Sequence, residues 1–218
     1  GLSIGPNQGI GNHISTPLQW SISCWMICAV QPVKVLILGE SHYWGEDKRE
    51  EDKLTYKVMD NYLAGKNRYR FFDNIVRAFG VNPEKRTEFW GRVWFGNYID
   101  EPCGIRDSKA TALLKRPGKR EELNEQLFSF IEENRIDIVF CFSRKVYDKL
   151  PPLEEGDQEK PGVKIDSHRL NECRYVAGQR KHVSVSLSKP VTVYGLKHAS
   201  QGFSYRRYES KIKDLVHP

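Results

Sequence analysis

The first 33 residues contain no Asp, Glu, Lys or Arg. No basic stretch precedes the apolar segment Trp20–Val30, so a secretory leader is not expected. That segment is shorter than the ~20 residues of a membrane span, and Ser21 and Ser23 interrupt it. We therefore expect residues 1–32 to be an N-terminal arm or extension, and 33–218 to be a single α/β domain. Cysteine is also scarce. The five cysteines, Cys24, Cys28, Cys103, Cys141 and Cys173, are odd in number and scattered, which does not fit a secreted disulfide framework. Reduced thiols in a cytoplasmic protein are the expectation. Cys24 and Cys28 have a spacing that could open a metal site, but buried small hydrophobes explain them as well, and we expect no metal. Internal repeats, low-complexity tracts and heptads are missing, which makes a monomer the default. Charged residues at 28% and aromatics at 11% exclude wholesale disorder.

The net charge is +6, and all of it lies beyond residue 33. Residues 40–52 hold six acids and two bases. Residues 64–70 hold three bases (Lys66, Arg68, Arg70) and no acid, and residues 108–120 hold five bases. Residues 197–213 hold five bases and one acid. A basic total alone permits a polyanionic partner without requiring one. Clustering into stretches is the more specific signal.

Val33–Leu38 is an apolar run ending at Gly39, which predicts a buried parallel strand. A helical pattern follows over Leu54–Leu63. Phe71, Ile75, Val76 and Phe79 recur at helical spacing, and Gly80 marks a stop. Strands are predicted at Val93–Ile99 and Asp137–Phe142. Arg106–Arg120 reads as a polar, basic connection. Glu121–Asn134 reads as an amphipathic helix, with Leu123, Leu127 and Ile131 four apart. A helix is predicted over 144–150, and a Pro- and Glu-rich surface loop over 151–161. Val183–Leu187 and Val191–Tyr194 alternate as strands do, and Arg206–Val216 closes the chain as a helix. Strands alternating with helices predict an α/β fold, a three-layer α/β/α sandwich around a central, mainly parallel sheet.

In such folds chemistry sits beyond the carboxyl ends of the strands. Three polar clusters fall there: Gly39-Glu40-Ser41-His42-Tyr43, then Asn97, then Lys197-His198-Ala199-Ser200. In this order they resemble the motifs of the uracil-DNA glycosylase superfamily. Gly39–Tyr43 is similar to its first motif, of the type G-x-D-P-Y or G-E-A-P-G. Asn97 is similar to its base-reading Asn, and His198-Ala199-Ser200 to its H-P-S motif. Asn67–Phe72 resembles its N-R-F-W stretch. Ser41, His42 and Ala199 depart from the family's usual residues. The resemblance implies a uracil-DNA glycosylase-like fold and base excision from DNA. Glu40 matches the Glu of the G-E-A-P-G branch. That branch carries an iron–sulfur cluster on four cysteines; no cysteine lies between 103 and 141 here, so no cofactor is expected.

The residue chemistry agrees with those implied roles. Expelling an anionic base needs a donor where charge develops, a role for His198. The attacking water needs an acceptor, a role for Glu40. A flipped base needs a stacking face, Phe71, and contacts to its edge, Asn97. Tyr43 would exclude bulky substituents, and Phe203 would wedge into the vacated stack. Ser200, Arg206 and Arg207 would hold phosphates. Each residue also has a plain alternative: Tyr43 and Phe71 as core, Asn97 as a turn residue, Gly39 as a simple turn. Two other functions stay open. One is a nucleic-acid-binding member of the same fold without catalysis. The other is a Ser–His hydrolase using Ser41, although no G-x-S-x-G elbow is present.

Overall fold

Val35–Gly39 is buried along its whole length, and its alternate residues enter two different cores. Val35 and Ile37 join one, Leu36 and Leu38 the other. This is the period of two expected of a strand covered on both faces. The computed structural model describes residues 33–41, 54–99, 103, 107–160, 164–165, 168–200 and 202–216. His42, Tyr43, Cys24, Cys28 and the expected arm at 1–32 lie outside the described residues.

In chain order the elements begin with β1 (Val35–Gly39), α1 (Leu54–Leu63), α2 (Arg70–Ala78), α3 (Arg86–Trp90) and β2 (Trp94–Asn97). Next come α4 (Asp107–Leu114), α5 (Lys119–Asn134), β3 (Ile138–Cys141) and α6 (Arg144–Tyr147). Short strands follow: β4 (Gln158–Lys160), β5 (Lys164–Ile165), β6 (His168–Arg169), β7 (Asn171–Tyr175), β8 (Gly178–Gln179) and β9 (Ser186–Leu187). The last elements are β10 (Val191–Gly195) and α7 (Arg206–Val216). The central sheet has six strands in the order β2-β1-β3-β10-β7-β4. The first four are mutually parallel, and β7 and β4 are antiparallel additions at one edge. The protein is thus an α/β protein with a mixed, mainly parallel sheet flanked by helices.

Residues of α1, α2, α3 and α7 pack with Ile37, Phe95 and Phe140 in one core. Residues of α4, α5 and α6 pack with Leu36, Leu38 and Val139 in the other. Leu36, Ile37 and Leu38 are 0% exposed, so truncating any of them to Ala would cost about 2–5 kcal/mol. The chain leaves β1, forms β2 on one side, then returns to form β3 on the other. That reversal is a topological switch point, and in open α/β sheets ligands bind beyond the carboxyl ends of the strands at such a point.

Three sequence expectations need correction, and one strand was not foreseen. The connection expected over 106–120 contains α4, because Ala110 and Leu113 recur three apart and are both buried. The loop expected over 151–161 contributes β4, the edge strand. The Val183–Leu187 strand shrinks to β9, which pairs with β8 outside the central sheet. The place beside β10 goes to β7, whose buried Cys173 and Tyr175 alternate with exposed Arg174. Among the described residues, no helix is long and apolar enough to cross a membrane.

Candidate functional site

Parallel pairing aligns the carboxyl ends of β2, β1, β3 and β10 along one edge of the sheet. Gly39 is the register partner of Asn97, so the first and second polar clusters become neighbours. Their contact is tight. A Cβ placed on Gly39 would lie 2.3 Å from Asn97 Oδ1 and 3.7 Å from Phe71 Cζ. Gly39 is therefore needed for close approach of its neighbours rather than only for a turn. Phe71, on the first turn of α2, sits 4.8 Å from the His198 ring, tilted 38°. Gly39 and Asn97 are thus register partners, and Phe71, packed on the His198 ring, lies on the side of Gly39 where a side chain would project.

Three hydrogen bonds brace this group. Asn74 lies three residues after Phe71 on α2 and is buried. Its Nδ2 donates to the Ala199 carbonyl at 2.8 Å, tying α2 to the segment that carries His198. Ser200 Oγ pairs with His198 Nδ1 at 2.7 Å. If Ser200 donates, the ring proton sits on Nε2, making that edge a neutral donor. Lys197 Nζ donates to the Gly202 carbonyl at 2.8 Å, closing the loop around the motif.

Glu40 is 6% exposed. Its Oε2 accepts from Ser143 Oγ at 2.8 Å. Ser143 follows β3 and caps α6, accepting from the Val146 N–H at 3.3 Å. One serine thus bridges the carboxyl ends of β1 and β3. Beside it, burial pushes the Cys141 thiol up to about 12, and the negative charge of Glu40 adds to the rise. Cys141 is thereby kept as a neutral thiol, poorly suited to nucleophilic work.

Asn97 is 7% exposed, and its Nδ2 has no hydrogen-bond partner among the described residues. A buried, unpaired amide donor costs about 1–3 kcal/mol, so it marks a place where a ligand acceptor would fit. Ser41 Oγ is likewise buried with no hydrogen-bond partner among the described residues. No Ser41–His198 hydrogen bond forms, and His198 Nδ1 is engaged with Ser200 instead. A serine nucleophile needs its base within hydrogen-bond reach.

Not every expected residue joins the group. Phe203 is 7% exposed. Its ring stacks on Tyr208 at 5.0 Å and contacts Phe142 at 6.0 Å. A wedge needs a ring free to enter the base stack, so Phe203 is placed as packing instead. Arg206 is exposed and Arg207 half-buried on the first turn of α7. His42 and Tyr43 belong to the undescribed segment. Sequence reasoning missed Ser143 and Asn74. Ser143 had a readable signal, a serine directly after a strand and before a helix. Asn74 was a polar residue on an otherwise apolar helix face. Among the described residues, no group of three or more His, Cys, Asp or Glu side chains could hold a metal ion.

No family model matches the chain, and no curated protein matches it.

Proposed function

We propose that the protein is a DNA base-excision glycosylase, built on a three-layer, uracil-DNA glycosylase-like fold. It would hydrolyse the N-glycosidic bond of uracil or a related damaged base. The observation that carries this reading is the gathering of Asn97 beside Gly39 and of Phe71 on the His198 ring at the strand ends, next to buried Glu40. A base laid on Phe71 would offer its edge to the unpaired Asn97 amide. His198, held by Ser200, would donate to the base oxygen where negative charge develops. Glu40 would accept a proton from water, or place negative charge beneath the electron-poor sugar.

The test is release of uracil from single- and double-stranded oligonucleotides, read as alkali-labile strand breaks. Hypoxanthine, xanthine and hydroxymethyluracil substrates extend it. His198→Asn and Glu40→Gln should each lower the single-turnover rate about 10²-fold or more. No breaks with any of these substrates would refute the activity.

A second reading has its own support. The Ser143 hydroxyl occupies one oxygen of Glu40, as in a carboxylate that braces the strand ends. On that reading the protein binds nucleic acid without catalysis. It predicts salt-sensitive DNA binding and no base release.

A further inference from the structure

A cleft of about 650 Å3 opens between the start of α2 and the start of α7. Arg68, Arg70, Arg77 and Arg206 line it, together with Tyr205 and Asp73. None of Gly39, Asn97 or His198 lines it, so it is a separate feature. It is nevertheless adjacent: Arg70 directly precedes Phe71 in the chain.

Some exposed arginines hold a neighbouring acid, as Arg92 holds Glu88 and Arg120 holds Glu121. Among the described residues, none of the four cleft arginines makes an ion pair. The acid that lines the cleft, Asp73, accepts from the Tyr62 hydroxyl at 2.8 Å instead. Four like charges around one concavity repel one another, and the cost falls when an anion enters. Tyr205 positions two of them. Arg77 lies 5.5 Å and Arg206 5.9 Å from its ring centroid. A guanidinium held on an aromatic ring loses less freedom on meeting a phosphate.

We infer that this cleft holds the phosphate backbone of an unpaired nucleic-acid strand flanking the nucleotide whose base enters the site. The inference rests on the nucleic-acid reading of the adjacent site. Three features favour a single strand over a duplex. The cations line a concavity with two walls, which admits one backbone. Guanidinium planes also stack on splayed bases. Finally, the neighbouring Phe71 would receive a base already out of its helix, and an unpaired strand requires no unpairing.

The test uses fluorescence anisotropy of a labelled dT12 strand without uracil, compared with the same strand in a dT·dA duplex, over a salt series. Replacing all four arginines with Gln should weaken single-strand binding about tenfold or more at low salt. It should also flatten the salt slope by about 2.8, the value for four contacts on a single strand. The quadruple Arg→Lys variant should keep the slope, because the charges remain. Arg92→Gln should change neither quantity. The four side chains are exposed, and a circular dichroism melt checks that the variants fold. An unchanged slope in the Gln variant, or tighter binding of duplex than of single strand, would overturn the inference. Uracil release is read in parallel. Absent release with a flattened slope removes the glycosylase reading and keeps the cleft. Intact release with an unchanged slope removes the cleft and keeps the glycosylase.

Discussion

Replacing Gly39 with Ala probes the site through one added methyl group. The new carbon would stand 2.3 Å from Asn97 Oδ1 and 3.5 Å from its Cγ. Ordinary carbon–oxygen contact is about 1 Å longer than the first distance. The β1 backbone is held by pairing on both sides, with β2 and β3, so the Asn97 side chain must move. It is buried, and its displacement overpacks the core by about 1–3 kcal/mol. For a chain of this size that lowers Tm by about 2–4 °C per kcal/mol. A 1 Å misplacement of a positioning group costs about 10²-fold in rate. Gly39→Ala should therefore lower single-turnover base release about 100-fold while the fold persists. The decisive control is a double-mutant cycle. In an Asn97→Ala background the colliding oxygen is gone, so Gly39→Ala should cost far less stability than in the parent. Purely additive melting shifts would refute the steric argument, whatever the protein does to DNA.

Further predictions concern other parts of the molecule. Asn74→Ala removes the bond to the Ala199 carbonyl and leaves a buried acceptor unsatisfied. It should cost about 1–3 kcal/mol in a denaturant titration and lower base release by loosening His198. Asp157→Ala removes the nearer of the two carboxylates paired with Arg180, whose side chain is 3% exposed, and leaves only Glu154 at 3.8 Å; urea unfolding should show a loss of about 3 kcal/mol. Burial opposes the charge on Asp157, but hydrogen bonds from Arg180 and from the Glu154 and Val176 N–H groups outweigh it, holding the carboxyl below its ordinary value. The folded state thus binds this proton less readily than the unfolded chain. The stabilisation is full above the ordinary Asp value of about 3.9 and fades as pH falls below it toward the folded value. Acid melts of wild type and Asp157→Ala should converge in that range. Cys141 should resist alkylation in the folded protein at pH 8, with mass spectrometry finding it modified only after denaturation.

The parallel core strands were legible because burial on both faces leaves unbroken apolar runs, as in Val35–Leu38 and Ile138–Phe142. The amphipathic α5 and the terminal helix were legible by period. The edge of the sheet was not. β7 and β4 carry Asn171, Glu172, Arg174 and Gln158, residues whose place is decided by a partner strand rather than by their own pattern. β9 shows the converse, an alternating segment that pairs outside the main sheet.

For the site, sequence order alone marked Gly39–Glu40, Asn97 and His198 as polar residues at strand ends. Local pattern reaches no further, since the three clusters are separated by long stretches of chain. Parallel register brought Gly39 beside Asn97, and the packing of α2 brought Phe71 against His198. Packing also took Phe203 out of the site, because an aromatic ring gains more from stacking on Tyr208 than from exposure to water. Tertiary structure gave Ser143 and Asn74 their bracing roles, and it gathered Arg68, Arg70, Arg77 and Arg206 around one cleft. Charge along a chain is a property of sequence. Whether like charges face one anion is a property of distance, and only the fold sets distance.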